Sequence, residues 1–339
     1  MVLEDYPRVD LAHTPTPVER MERLEQALGS GKGHLYVKRD DCTGLAMGGN
    51  KARQLEYYVG EAVAQGADTI IITGAVQSNF VRTAAAAARK CGMEIEIQLE
   101  ERVPNVSDAY RNSGNVLLNR IYGATLHSFP VGEDESAADK NLYKIADDVR
   151  ARGGKPYVVP LGADHAPLGA LGYVRMCEEL LKQFQDMGKT LDAVVVCSGS
   201  AITHAGTLVG LRHYGSMANV YGSCVRRSVD LQAPRVLQRS KETADMIDCA
   251  HVITEEDVIV LDDYLHPGYG QVNEGTVEAM KLSARLEALI TDPVYTGKGM
   301  AALIDLYRKG QFASGDNVVF VHSGGGPAIF GYPEVFDGF

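Results

Sequence analysis

The chain has 339 residues, 45% hydrophobic and 23% charged, with a formal net charge of −11 and a pI of about 5.3. That balance argues against nucleic acid or an acidic membrane surface as a partner, but leaves room for a small anionic ligand in a locally positive pocket. No apolar run reaches the roughly 18 residues of a membrane span, the N-terminal segment lacks the order of a signal peptide, and six scattered cysteines without C-x-x-C spacing read as free thiols of a cytoplasmic protein rather than a metal site.

In chain order, the first marked feature is "MGGNKARQLEYY", Met47 to Tyr58, where a glycine-rich loop becomes a helix at Lys51. It is not a P-loop, because Asn50 stands where that motif needs glycine directly before lysine. Lys51 therefore reads as a surface charge, a phosphate ligand or a nucleophile. Short β-branched runs predict strands over 69–73, 94–99, 156–161, 192–197 and 317–322. Between them the pattern predicts helices over 78–91, 108–122, 138–152, 168–185, 203–214, 274–288 and 299–309. Strands apolar on both faces, alternating with helices, predict an α/β fold with parallel-rich sheets flanked by helices. Composition marks no domain boundary, and there is no internal repeat.

Three turns follow predicted strands and so gather at one sheet edge, where ligands bind in parallel α/β folds. In "VVVCSGSAITHAG" a strand runs through Ser198-Gly199-Ser200-Ala201-Ile202-Thr203 into a helix. Free amides and hydroxyls there suit an anion such as phosphate, or simply cap the helix. The flanking glycines are misplaced for a nucleophile elbow. In "TGAVQSNFVRTAAAAARK" the start at Ser78 and Asn79 suits a carboxylate or plain capping. In "HSGGGPAIFGY" three glycines admit a flat ligand or make a chain reversal. A partly buried lysine with a phosphate cradle suits pyridoxal phosphate, whose aldehyde an unprotonated amine attacks.

Six segments, "GGNKARQLEYY", "GAVQSNFVRTAAAAA", "CSGSAITHAG", "HPGYGQVNEG", "DPVYTGKGMAALID" and "HSGGGPAIFGY", in order over nearly the whole chain, resemble the aminocyclopropane-carboxylate deaminase and D-cysteine desulfhydrase family. The resemblance implies pyridoxal 5'-phosphate in the two-domain, type II fold of the tryptophan synthase β chain. Residues 1–52 plus 160–339 would form the large domain and 53–159 the small one, usually in a homodimer. It implies that Lys51 joins the cofactor, that Asn79 bonds its ring hydroxyl, and that Gly199, Ser200, Ala201, Ile202 and Thr203 hold its phosphate. Thr296 and Ser323 would line the pyridine nitrogen and substrate end. Ser78 would meet the substrate carboxylate, with Asn79 beside it. Tyr269 and Tyr295 would face the substrate of a small amino-acid reaction.

The sequence departs from the family pattern at four places. Thr296 and Ser323 replace the glutamate and leucine of ring-opening deaminases, Gln54 replaces a lysine near the phosphate, and Phe80 replaces the histidine of desulfhydrases. On these grounds the sequence reading ranks β-elimination from a 3-substituted amino acid first. Its leading candidate is an L-cysteate sulfo-lyase giving pyruvate, sulfite and ammonia, with D-cysteine desulfhydrase next and ring opening of aminocyclopropane-carboxylate behind. Lys51 serves as the Cα base in that scheme, and Tyr269 or Tyr295 assists the leaving group. A non-catalytic binding module, and a hydrolase using Ser200 with His204, rank last. His165, Arg53 and Arg82 read as a local hydrogen-bonding group and as solvated or paired helix arginines.

Overall fold

The computed structural model describes residues 2–29, 31–130, 132, 134–162, 165–337 and 339. Ala163 and Asp164, in the glycine-punctuated turn before His165, lie outside the described residues.

The chain begins with strand β1 (Val18–Arg20), helix α1 (Glu22–Leu28), β2 (His34–Lys38) and α2 (Lys51–Ala64). It continues with β3 (Thr69–Ala75), α3 (Asn79–Lys90), β4 (Glu94–Glu100), α4 (Asp108–Asn112), α5 (Gly114–Ile121), β5 (Thr125–Phe129), α6 (Glu135–Ala151) and β6 (Pro156–Val159). Then come α7 (Leu171–Asp186), β7 (Ala193–Ser198), α8 (Ile202–His213), β8 (Asn219–Cys224), α9 (Val229–Met246), β9 (Ile259–Leu261), α10 (Glu274–Glu287), α11 (Thr296–Arg308) and β10 (Asn317–Val321).

The strands form two sheets. One has the order β1-β2-β10-β7-β8-β9, parallel except for the β1–β2 pair, and the other has the order β5-β4-β3-β6, wholly parallel. All four strands of the second sheet lie within residues 69–159. The fold is the expected α/β arrangement of parallel-rich sheets flanked by helices.

Burial on both faces explains the unbroken apolar strands. In β7, Val194 and Val196 enter one core with Leu208 and Leu211 of α8, while Ala193 and Val195 enter the opposite core with Leu303 and Tyr307 of α11. Val319 and Val321 of β10 divide from Val318 and Phe320 in the same way. In the second sheet Ile70 and Ile72 pack with the alanines of α3, and Ile71 faces Leu142, Ile145 and Val149 of α6.

The differences from the sequence expectation have local causes. The stretch expected as one helix over 108–122 is broken at Ser113, whose backbone is extended. The break frees backbone groups for Gln77, which donates through Nε2 to the carbonyls of Tyr110 (2.5 Å) and Ser113 (3.0 Å) and accepts from the amide of Asn115 (2.9 Å). Edge strands β1 and β5 have mixed polarity, which erases the periodic signal, and edge strand β9 is apolar but only three residues long, too short to show one. β8 carries glycine and serine among its apolar residues, and β2 ends on the buried Lys38, an ionic residue in a core strand.

A buried ionic cluster ties the N-terminal segment to α2 and α7. Arg53 donates to both oxygens of Asp40 (3.0 and 2.9 Å) and to Glu179, while Lys38 pairs with Glu179 and donates to the carbonyl of Thr16 (2.7 Å). The Tyr173 hydroxyl donates to Asp40 at 2.8 Å. Arg53 is therefore neither solvated nor paired with Glu56, which instead accepts from the amides of Leu11 and Ala12.

Candidate active site

A solvent-connected cavity of about 1070 Å³ opens at the strand ends. It is lined by Lys51, Ser78, Asn79, Gly199, Ser200, Ala201, Ile202, Thr203, Tyr269, Tyr295 and Ser323, all singled out from the sequence, together with Phe80, Arg102 and His165. Thr296 is not among the lining residues; its place is described below.

Lys51 is the first residue of α2. Its Nζ donates to Gln54 Oε1 at 3.1 Å and lies 5.2 Å from the centre of the Phe80 ring. Among the described residues no carboxylate forms an ion pair with it. Burial lowers its pKa to about 8, with a small opposing influence from Cys197. A measurable fraction of this amine is thus neutral and nucleophilic near pH 7, which distinguishes it from a solvated surface lysine.

The turn that delivers Lys51 is held from two sides. Arg82, fully buried in α3, donates to the carbonyls of Ala46 and Gly48. On the other side the amide of Asn50 donates to the carbonyl of Ser323 at 3.0 Å. Gly324, at φ +88°, sits so close that a β-carbon there would come within 2.6 Å of the Gly49 α-carbon. Part of what the glycines of "HSGGGP" accomplish is therefore this backbone-on-backbone contact with "MGGNK".

The hydroxyl of Ser78 caps α3, accepting from the amides of Phe80 (3.2 Å) and Val81 (3.4 Å), and it also faces the cavity. Asn79 Oδ1 accepts from Asn115 Nδ2 (2.9 Å) and from Arg82 (3.4 Å). That fixes the amide so that its NH2 is left to donate. Arg82 thus orders both the lysine turn and Asn79, contrary to its reading as a helix-surface arginine. The signal for this was its place as the one cation before the last turn of a helix made mainly of alanine, Arg89 and Lys90 lying at its C-terminal end.

The segment after β7 has the form of an anion cradle. Ala201 adopts φ +74° and enters α8 without a side-chain cap, which leaves the first amides of that helix without side-chain acceptors. Thr203 Oγ1 accepts from Asn50 Nδ2 (2.9 Å) and Gln54 Nε2 (2.8 Å). With both lone pairs occupied, its proton is free to be donated to a ligand. Gln54, where the family pattern has lysine, orients Thr203 and the Lys51 amine together. His204 is turned away, its Nδ1 lying 3.2 Å from Ser198 Oγ, and burial lowers it to about 4. This removes the pairing with Ser200 that a hydrolase would need.

On the opposite side the hydroxyls of Tyr269 and Tyr295 lie 2.7 Å apart, with the rings edge to face at 5.9 Å. Burial raises both, Tyr295 further through its partner, so both phenols stay protonated at neutral pH. One proton bridges the pair and the other remains to be given to, or shared with, a substrate atom. Arg102, paired with Glu100 at 2.7 Å, lies 5.9 Å from the Tyr269 ring centre.

Asp292 holds this side in place and was not apparent from the sequence. Its Oδ2 accepts from the amides of Val294 (2.9 Å) and Tyr295 (3.0 Å), and its Oδ1 from the amide (2.9 Å) and hydroxyl (2.7 Å) of Thr296. The Thr296 hydroxyl also accepts from the Asp292 amide at 2.7 Å and is fully buried. Its hydrogen bonding is committed to this turn, whereas Ser323 does reach the cavity.

These features fit pyridoxal phosphate: a half-buried amine of lowered pKa, a cradle of unclaimed amides with a directed hydroxyl, and an ordered amide donor between them. The chain matches the family model "Pyridoxal-phosphate dependent enzyme" over residues 9–324. It is 43% identical over 339 residues to a 1-aminocyclopropane-1-carboxylate deaminase of Mesorhizobium japonicum, and 43% identical over 336 residues to one of Methylobacterium nodulans, with 99% of both chains covered each time. A crystal structure described as an ACC deaminase homologue superposes with a TM-score of 0.87 at 32% identity, covering 98% of this chain and 96% of that one.

The full-length relatives overturn the ranking drawn from the sequence, which placed sulfite or thiol elimination ahead of ring opening. That ranking leaned on positions 296 and 323, and the Thr296 side chain is turned into the Asp292 turn rather than toward the cavity. The half-buried lysine, the cradle and the full-length match agree, and the chain belongs to the pyridoxal-phosphate-dependent enzyme family.

Proposed function

We propose that the protein is a lyase that opens the ring of 1-aminocyclopropane-1-carboxylate and releases ammonia, consuming one water and giving 2-oxobutanoate. The observation that carries this reading is the 43% identity, across 99% of both chains, to relatives named for that activity.

Bound pyridoxal phosphate supplies the electron sink for charge that develops at the substrate's α-carbon. Lys51 is the residue that would hold it, the amides at 199–203 with the Thr203 hydroxyl would bind its phosphate, and Asn79 Nδ2 would donate to its ring oxygen. The start of α3 at Ser78 and Asn79 would take the substrate carboxylate. The α-carbon of an aminocyclopropane carries no hydrogen, so the Cα-base role assigned from the sequence does not apply. Instead Lys51 would move a proton at a ring methylene, and the Tyr269–Tyr295 pair would donate to the carbon freed when the ring bond breaks.

The test is to supply purified, cofactor-loaded protein with the cyclopropane amino acid and follow 2-oxobutanoate and ammonia. Stoichiometric formation of both supports the reading. A yellow, folded enzyme that forms neither overturns it.

We also propose the division into residues 1–52 plus 160–339 and residues 53–159, supported by the confinement of one sheet to 69–159. A homodimer is part of the same reading, supported by exposed Leu117 and Ile121 on α5 and exposed Phe330 in the segment packed against it. Sedimentation at monomer mass would overturn the dimer. A cytoplasmic setting accords with six cysteines that all remain free thiols.

A further inference from the structure

The carbonyls of the anion cradle are gripped by two arginines outside the cavity lining, and the Glu135 and Arg226 that join them reach the cavity wall. Arg227 Nη1 donates to the Gly199 carbonyl at 3.0 Å, and Arg235 Nε donates to the Ser200 carbonyl at 3.3 Å. Both guanidinium groups also hold Glu135, Arg227 at 2.5 Å and Arg235 at 3.2 Å, and Arg226 shares the same carboxylate at 2.5 Å. Glu135 opens α6, between strands of the second sheet, whereas the arginines follow β8 of the first. Arg235 Nη2 further donates to the Leu161 carbonyl at 3.0 Å. The cluster thus ties the cradle to both sheets.

A trans peptide fixes what this does. Its carbonyl and amide point in opposite directions from one plane. With the Gly199 and Ser200 carbonyls drawn toward the arginines, the amides of Ser200 and Ala201 point the other way. A rotated peptide would instead present a carbonyl oxygen to the anion. Burial opposes ionisation of Glu135, but Arg227, Arg226 and Arg235 outweigh it and hold the carboxyl below its ordinary value. The clamp is therefore ionic throughout the neutral range.

We infer that Arg227 and Arg235, joined through Glu135, are positioning residues that keep the Ser200 and Ala201 amides turned toward a bound phosphate. This rests on the proposed assignment of the 199–203 segment to the cofactor phosphate.

The experiment titrates apoprotein, freed of cofactor, with pyridoxal phosphate and separately with pyridoxal, reading the visible absorbance of each adduct. Wild type should favour the phosphorylated form strongly. Arg227→Gln and Arg235→Gln should each weaken pyridoxal phosphate by roughly 10–100-fold, as for a lost hydrogen bond from a charged donor, and leave pyridoxal unchanged. Arg227→Lys should recover part of the loss, and Glu135→Gln should show a smaller loss of the same sign. Equal weakening of both ligands, or unchanged affinity for both, overturns the inference. A wild type with no preference for the phosphorylated ligand would remove the phosphate assignment itself, and the inference with it. The two glutamine variants stand independently, so failure of one to fold leaves the other to decide.

Discussion

Replacing Asp292 by asparagine keeps the shape of the side chain and removes one acceptor, so its cost follows from the hydrogen bonds it makes. Each of its two oxygens serves two donors. If the new NH2 takes the Oδ2 position, the amides of Val294 and Tyr295 both lose their acceptor. If it takes the Oδ1 position, the Thr296 amide loses its acceptor and the Thr296 hydroxyl must turn to the Gly324 carbonyl, now 3.3 Å away. A buried unpaired donor costs about 1–3 kcal/mol and a weakened hydrogen bond about 1 kcal/mol, so the better orientation loses about 2–4 kcal/mol. With an m-value of about 3 kcal/mol/M, the urea midpoint of the apoprotein falls by about 0.7–1.3 M. The same loosening displaces Tyr295, and a shift of about 1 Å lowers turnover by about 10²-fold. The measurements are equilibrium urea unfolding and steady-state turnover. A midpoint within about 0.3 M of wild type, with turnover intact, would refute the account of Asp292 as the anchor of this side of the cavity.

Lys51→Ala is expected to abolish the visible absorbance of the bound cofactor and to lower turnover by at least about 10²–10⁴-fold, the range for one lost acid–base group; absorbance and rate are read on the same sample. Capture of pyridoxal phosphate by the apoprotein should rise with pH around a midpoint near 8, because burial lowers the Lys51 amine to that value; a midpoint near 10.5, that of a solvated lysine, would contradict the burial argument. Arg53→Ala leaves the fully buried Asp40 without its ion-pair partner and should cost about 3–5 kcal/mol in unfolding experiments. In the intact protein burial works to raise the Asp40 carboxyl, yet Arg53 and Lys38 hold it below 3.8. Its stabilisation is therefore present above about pH 4 and fades as pH falls further. Arg53→Ala should lose that acid-side decline, as stability measured from pH 5 to pH 2 would show.

The sequence by itself determined the α/β class, because strands buried on both faces carry consecutive apolar residues instead of an alternation, as Ile70–Ile72 in β3, Ala193–Cys197 in β7 and Val318–Val321 in β10 do. It also determined the lysine at a helix start and the small-residue turn after β7, because special backbone geometry requires glycine and hydroxyl residues at fixed local positions. The mixed edge strands β1 and β5 escaped it, since half-exposed strands lose their periodic signal, and so did β9, whose three apolar residues are too few to show a period.

Only the tertiary structure decided which polar side chains act together. Arg82 reaches the lysine turn, Asp292 takes the Thr296 hydroxyl, Gln54 and Asn50 converge on Thr203, and Glu135 crosses to the arginines after β8. Each of these joins segments distant in the chain or turns a side chain away from where its residue type suggests. Hydrogen-bond partners are chosen by proximity and direction after folding, and no local pattern encodes either. The same reason accounts for the substrate ranking. Thr296 beside Tyr295 reads in sequence as a cavity residue, and only the carboxylate of Asp292 showed that its hydroxyl points elsewhere.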